Sequence, residues 1–138
     1  MSIVQTQTTS FKKELYQAVH NLSTDSIYIA LYTGNVSLGA DTTVYTTSNE
    51  VVADGYTAGG QELTGVAISS SGYTAYVNWA NVSWSAAITA RCALIYNVTQ
   101  GNKSIAVIDF GADKTSTTTF TITMPANTAT TALIRSSN

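Results

Sequence analysis

From Ile88 to Phe110 the chain runs ITARCALIYNVTQGNKSIAVIDF. From Ile88 to Val98, Ala90, Cys92, Leu94 and Tyr96 alternate with Arg91, Ala93, Ile95 and Asn97. That is the period of two that sends successive side chains to opposite faces of a strand. Thr99-Gln100-Gly101-Asn102 then collects turn-forming residues, and Lys103 to Phe110 resumes with apolar and β-branched ones. The whole reads as an antiparallel hairpin.

The same period recurs on both sides of this hairpin. Upstream, Ile27, Ile29 and Leu31 alternate with Tyr28, Ala30 and Tyr32 within Ser26 to Thr33, a strand whose second face is also partly covered. Leu63 to Ser69 and Tyr73 to Ala80 flank Ser70-Ser71-Gly72 and predict another hairpin, with Tyr73, Ala75, Val77 and Trp79 sharing a face. Downstream, Thr118 to Met124 sets Phe120, Ile122 and Met124 inward and threonines outward, Pro125 ends that strand, and Thr130 to Arg135 forms a last one. The period changes to that of a helix only from Ser10 to Leu22, where Phe11, Leu15, Ala18, Val19 and Leu22 fall on one face and Ser10 is placed to cap. The expected architecture is mainly β: an antiparallel β-sandwich or jelly-roll-like barrel of about seven to eight strands with one N-terminal helix. A chain of 138 residues makes one domain. Its parts are an N-terminal arm (1–9), the helix (10–22), and a long loop excursion (34–61) broken by glycines around small apolar islands at Val44-Tyr45 and Val51-Val52. Loops of that length are usually functional or partly structured. This one is expected to pack on another surface or to form a short hairpin over a sheet edge. The core is expected from Ile27, Ile29, Leu31, Val77, Trp79, Cys92, Leu94, Phe120 and Ile122, covered by Phe11, Leu15 and Val19 of the helix.

Composition narrows the function classes. Charged residues are only 10% of the chain, so its polarity comes from uncharged Ser and Thr, and the net charge is -2. With no basic cluster beyond Lys12-Lys13 there is no electrostatic footprint for nucleic acid. No apolar run reaches the roughly 18 residues of a membrane span, and MSIVQTQTTS lacks the basic head and apolar run of a secretory signal, so no membrane partner is expected and synthesis in the cytosol is. A single Cys and a single His exclude an internal disulfide and the usual zinc ligand sets.

Candidates for chemistry are few. His20, near the end of the predicted helix, reads as a solvated or capping side chain, and Cys92, alternating with Leu94, as a small buried hydrophobe. A glycosidase needs two carboxyls about 5 to 9.5 Å apart, for which Glu50 and Glu62 across the long loop are the pair to consider, although nothing selects them over structural roles. Gly55-Tyr-Thr-Ala-Gly59-Gly60 lacks the Lys-Ser/Thr of a phosphate loop and reads as a turn with positive φ. Tyr45, Tyr56, Tyr73, Tyr76, Trp79 and Trp84 either stack on sugar rings or pack in the core and between subunits. No catalytic residue, cofactor or metal is expected.

Taken in order, FKKELYQAVHNL, IYIALYTGNVSLGADTTVYTTSNEV, GYTAGGQEL, NVSWSAAITARCALIYN and IAVIDFGADKTSTTTFTITMPA cover nearly the whole chain. The series resembles a recurrent family of small virion structural proteins encoded by tailed bacteriophages. Ala18 and Ala112 stand where such families often have Gly. The resemblance implies a non-enzymatic part of the particle, made in the host bacterial cytoplasm and located in the virion. Its expected role is a head decoration or cement subunit, partnered by the major capsid protein or other virion proteins and forming a homo-oligomer. The alternative is a tail-associated or fibre protein touching host glycan through exposed aromatics. The excursion and the N-terminal arm are the expected contacting parts, with Val44, Tyr45, Val51, Tyr56 and Trp84 as candidate inter-subunit contacts.

Overall fold

Most alternating segments become strands near where their pattern places them. The strand expected from Leu63, however, begins at Ala67 and takes in Ser70 and Ser71 of the expected turn, and the one expected over Thr130 to Arg135 forms only at Ile134–Ser136. The computed structural model describes residues 2–137. Among these, the strands are β1 (Thr6–Gln7), β2 (Ile27–Tyr32), β3 (Gln61–Glu62), β4 (Ala67–Ser71), β5 (Thr74–Asn78), β6 (Val82–Trp84), β7 (Thr89–Asn97), β8 (Lys103–Thr115), β9 (Phe120–Ile122) and β10 (Ile134–Ser136), with one helix, α1 (Thr9–Tyr16). All strand pairs are antiparallel. A five-stranded sheet in the order β1-β8-β7-β2-β3 lies across the main core from a three-stranded sheet, β10-β5-β4, and a strand pair, β6-β9. The sheets do not close, so the architecture is sandwich-like rather than a barrel.

The central hairpin is β7 and β8, paired from Thr89↔Thr115 to Asn97↔Lys103. Its registers are not uniform, and this reassigns its faces. Ile88 and Ala90 point into the main core, and plain alternation would send Cys92 there too. A bulge between Ala90 and Cys92 resets the alternation, so Ala93 and Ile95 face inward while Cys92, Leu94 and Tyr96 face outward. Cys92 and Leu94 are fully buried as expected, but in a second cluster on the outer face, with Ala30, Tyr32, Val36, Leu38 and Val107. The remaining expected core positions, Ile27, Ile29, Leu31, Val77, Trp79, Phe120 and Ile122, all lie in the main core.

The helix is shorter than its apolar spacing predicts. It is capped by Thr8, not Ser10: the Thr8 Oγ1 accepts from the Phe11 N–H at 3.2 Å. It ends at Tyr16 because Ala18 takes a left-handed conformation, φ +59°. The Ala18 N–H then donates to the Leu15 carbonyl and the Val19 N–H to that of Glu14, a Schellman closure. Past this turn the apolar spacing no longer describes one face. Phe11 is buried in the core, whereas Leu15 and Ala18 are exposed and Val19 is half-buried. Tyr73 also departs from expectation: it sits in the two-residue turn between β4 and β5 and is 97% exposed.

Candidate functional site

The long excursion folds back on its own domain. Its first part lays Val36 and Leu38 on the outer face of the five-stranded sheet, where Tyr45 also stacks on Tyr96 with ring centroids 4.6 Å apart. Its second part runs along the free edge of β2: the Thr33 N–H donates to the Asn49 carbonyl and the Val51 N–H to that of Leu31. The chain then leaves the edge and returns with β3, paired to Tyr28 and Ile29. In the gap the Tyr56 hydroxyl takes the place of a strand, accepting the Leu31 N–H at 2.9 Å.

That hydroxyl belongs to a knot centred on Glu50, which is 7% exposed. The Tyr45 hydroxyl donates to Oε1 at 2.6 Å, and Oε2 accepts from the Tyr56 hydroxyl at 2.7 Å and the Gly59 N–H at 2.8 Å. The Tyr96 hydroxyl donates to the Gly59 carbonyl and the Tyr32 hydroxyl to that of Thr46. A buried carboxylate needs such donors, since each one missing leaves desolvated charge. Burial first, and then the nearby Glu50 charge, pushes the Tyr96 phenol up to about 12. Burial likewise raises Tyr32, Tyr45 and Tyr56, with Glu50 adding to it in each. All four are held as neutral donors. Gly60 is required here: its φ is +81° and a Cβ would stand 1.8 Å from the Ile29 carbonyl oxygen. Positive φ at Gly55, Gly59 and Gly60 fits the turn expected of this segment.

Of the five candidate contacts, the structure leaves two at the surface. Val44 is 48% exposed and Tyr45 half-buried, but Val51, Tyr56 and Trp84 lie in the main core, so those three are corrected from surface to core residues. Val51 is drawn in by the β2 edge, Tyr56 by Glu50, and Trp84 packs between Tyr56 and Phe120. A glycan surface built on Tyr56 and Trp84 is therefore not present. The pattern missed Val52, which follows buried Val51 and is 96% exposed. The arm, too, is engaged within the chain: β1 pairs with Val107 and Ala106 of β8, the Val4 N–H donates to the Leu38 carbonyl, and the Leu38 N–H donates to that of Ser2.

Three other titratable groups, His20, Asp25 and Cys92, are held in structural contacts, whereas Glu62 is not. Glu62 is exposed on β3 and takes no part in the Glu50 knot. His20 is buried rather than solvated. Its Nε2 lies 2.8 Å from Glu14 Oε1, and its Nδ1 lies 3.0 Å from the Asn97 amide nitrogen, which also donates to Asp25. Because that nitrogen is a donor, Nδ1 accepts and the Nε2–H donates to Glu14. Burial raises the Asp25 carboxyl, but hydrogen bonds from Asn97, the Asn21 backbone and Gln100 outweigh it and leave the group below its usual range. The buried Cys92 thiol is pushed up to about 12, by burial first and then by the Asp109 charge, which suits a packing role. Among the described residues no three His, Cys, Asp or Glu side chains converge to hold a metal, and no helix is long and apolar enough to cross a membrane. Comparison with family models, curated proteins and solved structures finds no match.

Proposed function

We propose that the chain is a non-enzymatic structural subunit of a tailed-bacteriophage virion, a decoration or cement protein of the head that acts by contact area. The observation that carries this reading is the way the excursion is fastened. Glu50 draws the excursion's own Tyr45, Tyr56 and Gly59 together, hydrogen bonds of Tyr56 with Leu31, Tyr96 with Gly59 and Tyr32 with Thr46 fasten that knot to the sheet, and Val44 and Val52 stay exposed. A loop ordered in advance loses little conformational entropy when it meets a neighbour, so more of its contact energy appears as binding. The charge-poor, hydroxyl-rich surface also lets many copies crowd on a shell without mutual repulsion. Bridging neighbouring capsid subunits would stabilise the assembled shell by the linkage through which any ligand of a native state stabilises it.

Microscopy of the particle tests the reading. Copies on the head in numbers that follow the capsid lattice are expected, with the excursion against the major capsid protein. A few copies confined to the tail would overturn the head assignment, and hydrolysis of a polysaccharide or ester by the purified chain, lost in Glu50→Gln or Glu62→Gln, would overturn the non-enzymatic one.

A further inference from the structure

The three-stranded sheet ends on β4, whose five residues are exposed throughout and whose outer edge meets no other strand among the described residues. Edge strands are ordinarily guarded against pairing by charge, proline, a bulge or shortness. The other edges here carry such guards. Beyond β1, the free edge of β8 bears Asp109, Asp113 and Lys114, and Gly111 at φ +80° bends it. β10 has Arg135, and β1, β3 and β9 are two or three residues long. β4 has none of these. Its pairing with β5 is regular from Ala67↔Asn78 to Ser71↔Thr74, and no Asp, Glu, Lys or Arg occurs between Glu62 and Arg91.

We propose that β4 is a homodimerisation edge, pairing antiparallel with β4 of a second copy about a two-fold axis at Ser69. The inference goes beyond the virion reading and stands without it. The register follows from the hairpin. With a two-residue turn, the flanking Ser71–Thr74 pair carries both ladder bonds, as do Ser69–Tyr76 and Ala67–Asn78. Ile68 and Ser70 therefore turn their N–H and C=O groups outward. Placing Ser69 on the axis sets Ile68 of each copy opposite Ser70 of the other, so every outward donor meets an outward acceptor. Because the same edge serves both copies, a second copy satisfies it without any charge to match, and the symmetry closes at two. The pairing also places the partner's Ile68 beside Ser70, on the side of an open groove of about 750 Å³ lined by Leu15, Tyr16, Ile68 and Ala75. The half-exposed Ile68 and the exposed Leu15 thereby gain apolar cover.

Sedimentation velocity over rising concentration, with disulfide trapping, tests this. The native chain is expected to pass from monomer to dimer. Ser70→Pro removes an outward N–H and no ladder bond, and Ile68→Lys supplies the missing guard, so both are expected to stay monomeric, whereas Val52→Lys should dimerise as the native chain does. Ser69→Cys is expected to oxidise to a covalent dimer at least tenfold faster than Val52→Cys, since residues facing each other in such a non-hydrogen-bonded pair lie about 4.5 Å apart, within disulfide range. A native chain monomeric at every concentration, a dimer that persists in Ser70→Pro and Ile68→Lys, or equal oxidation of the two cysteine variants would overturn the proposal.

Discussion

The two faces of the five-stranded sheet are covered in different ways. The inner face meets strands of the opposing sheets and buries Ile27, Ile29, Leu31, Ala93, Ile95 and Ile105 among other apolar side chains. Among the described residues the outer face meets no sheet. It is closed by an irregular segment that brings only Val36, Leu38 and Tyr45, helped by Ile3, and is secured by a buried carboxylate and four phenols. Apolar packing is non-directional and spreads its free energy over many contacts. A hydrogen-bonded knot concentrates it in a few groups whose loss leaves partners stranded in a low dielectric. The difference predicts graded tolerance inside and sharp intolerance at a few polar positions outside.

The largest effect tests whether both faces are truly buried. Leu94→Asp on the outer face and Ile95→Asp on the inner one each bury an unpaired charge at a fully buried site, a cost of several kcal/mol against a total stability of about 5–15. Both should fail to melt cooperatively. A native-like melt for Leu94→Asp alone would mean that the outer cover is loose. Next comes Gly60→Ala, which forces a methyl group against the Ile29 carbonyl and should lift the excursion from the β2 edge. Hydrogen exchange at Leu31 and Val51 should then quicken while Ile95 and Ile105 stay protected.

These positions also show what the sequence makes legible. Period two located the β7–β8 hairpin, because strand pairing between neighbours in sequence is a local property. It could not locate the bulge at Arg91, which exchanges the two faces of β7 without altering its composition. Nor could apolar spacing show that α1 stops at Tyr16, since the left-handed turn falls on an Ala and the usual Gly signal is missing. In the excursion there is no period at all, so Val51 and Val52 look alike although one is buried and the other exposed. The role of Glu50 depends on partners as far away as Gly59, which spacing cannot reveal.

A middle-sized effect separates the knot from the packing around it. Glu50→Gln keeps the shape but turns an amide donor toward donors already present, and should cost about 1–3 kcal/mol by thermal melting. Alkaline titration probes the same groups. A phenol is neutral when protonated, and the raised Tyr32, Tyr56 and Tyr96 keep their protons above the value of about 10 at which an unfolded chain loses them. Their contribution is therefore complete below about pH 10 and declines as pH rises toward the folded value of about 12 for Tyr96, at roughly 1.4 kcal/mol per pH unit for each such group. The melting temperature should drop across that window, and phenolate absorbance should rise together with unfolding. The smallest effect lies away from both faces: Ala18→Gly relieves a left-handed alanine and should stabilise by about 1 kcal/mol.

The most direct test of the functional account is the heat resistance of the particle itself. Particles lacking this chain should release their genome at a lower temperature than complete ones. Purified native chain should restore the difference, and a Val44→Asp/Val52→Asp chain, altered only at exposed positions of the excursion, should fold but fail to restore it. Equal heat resistance with and without the chain would contradict the account.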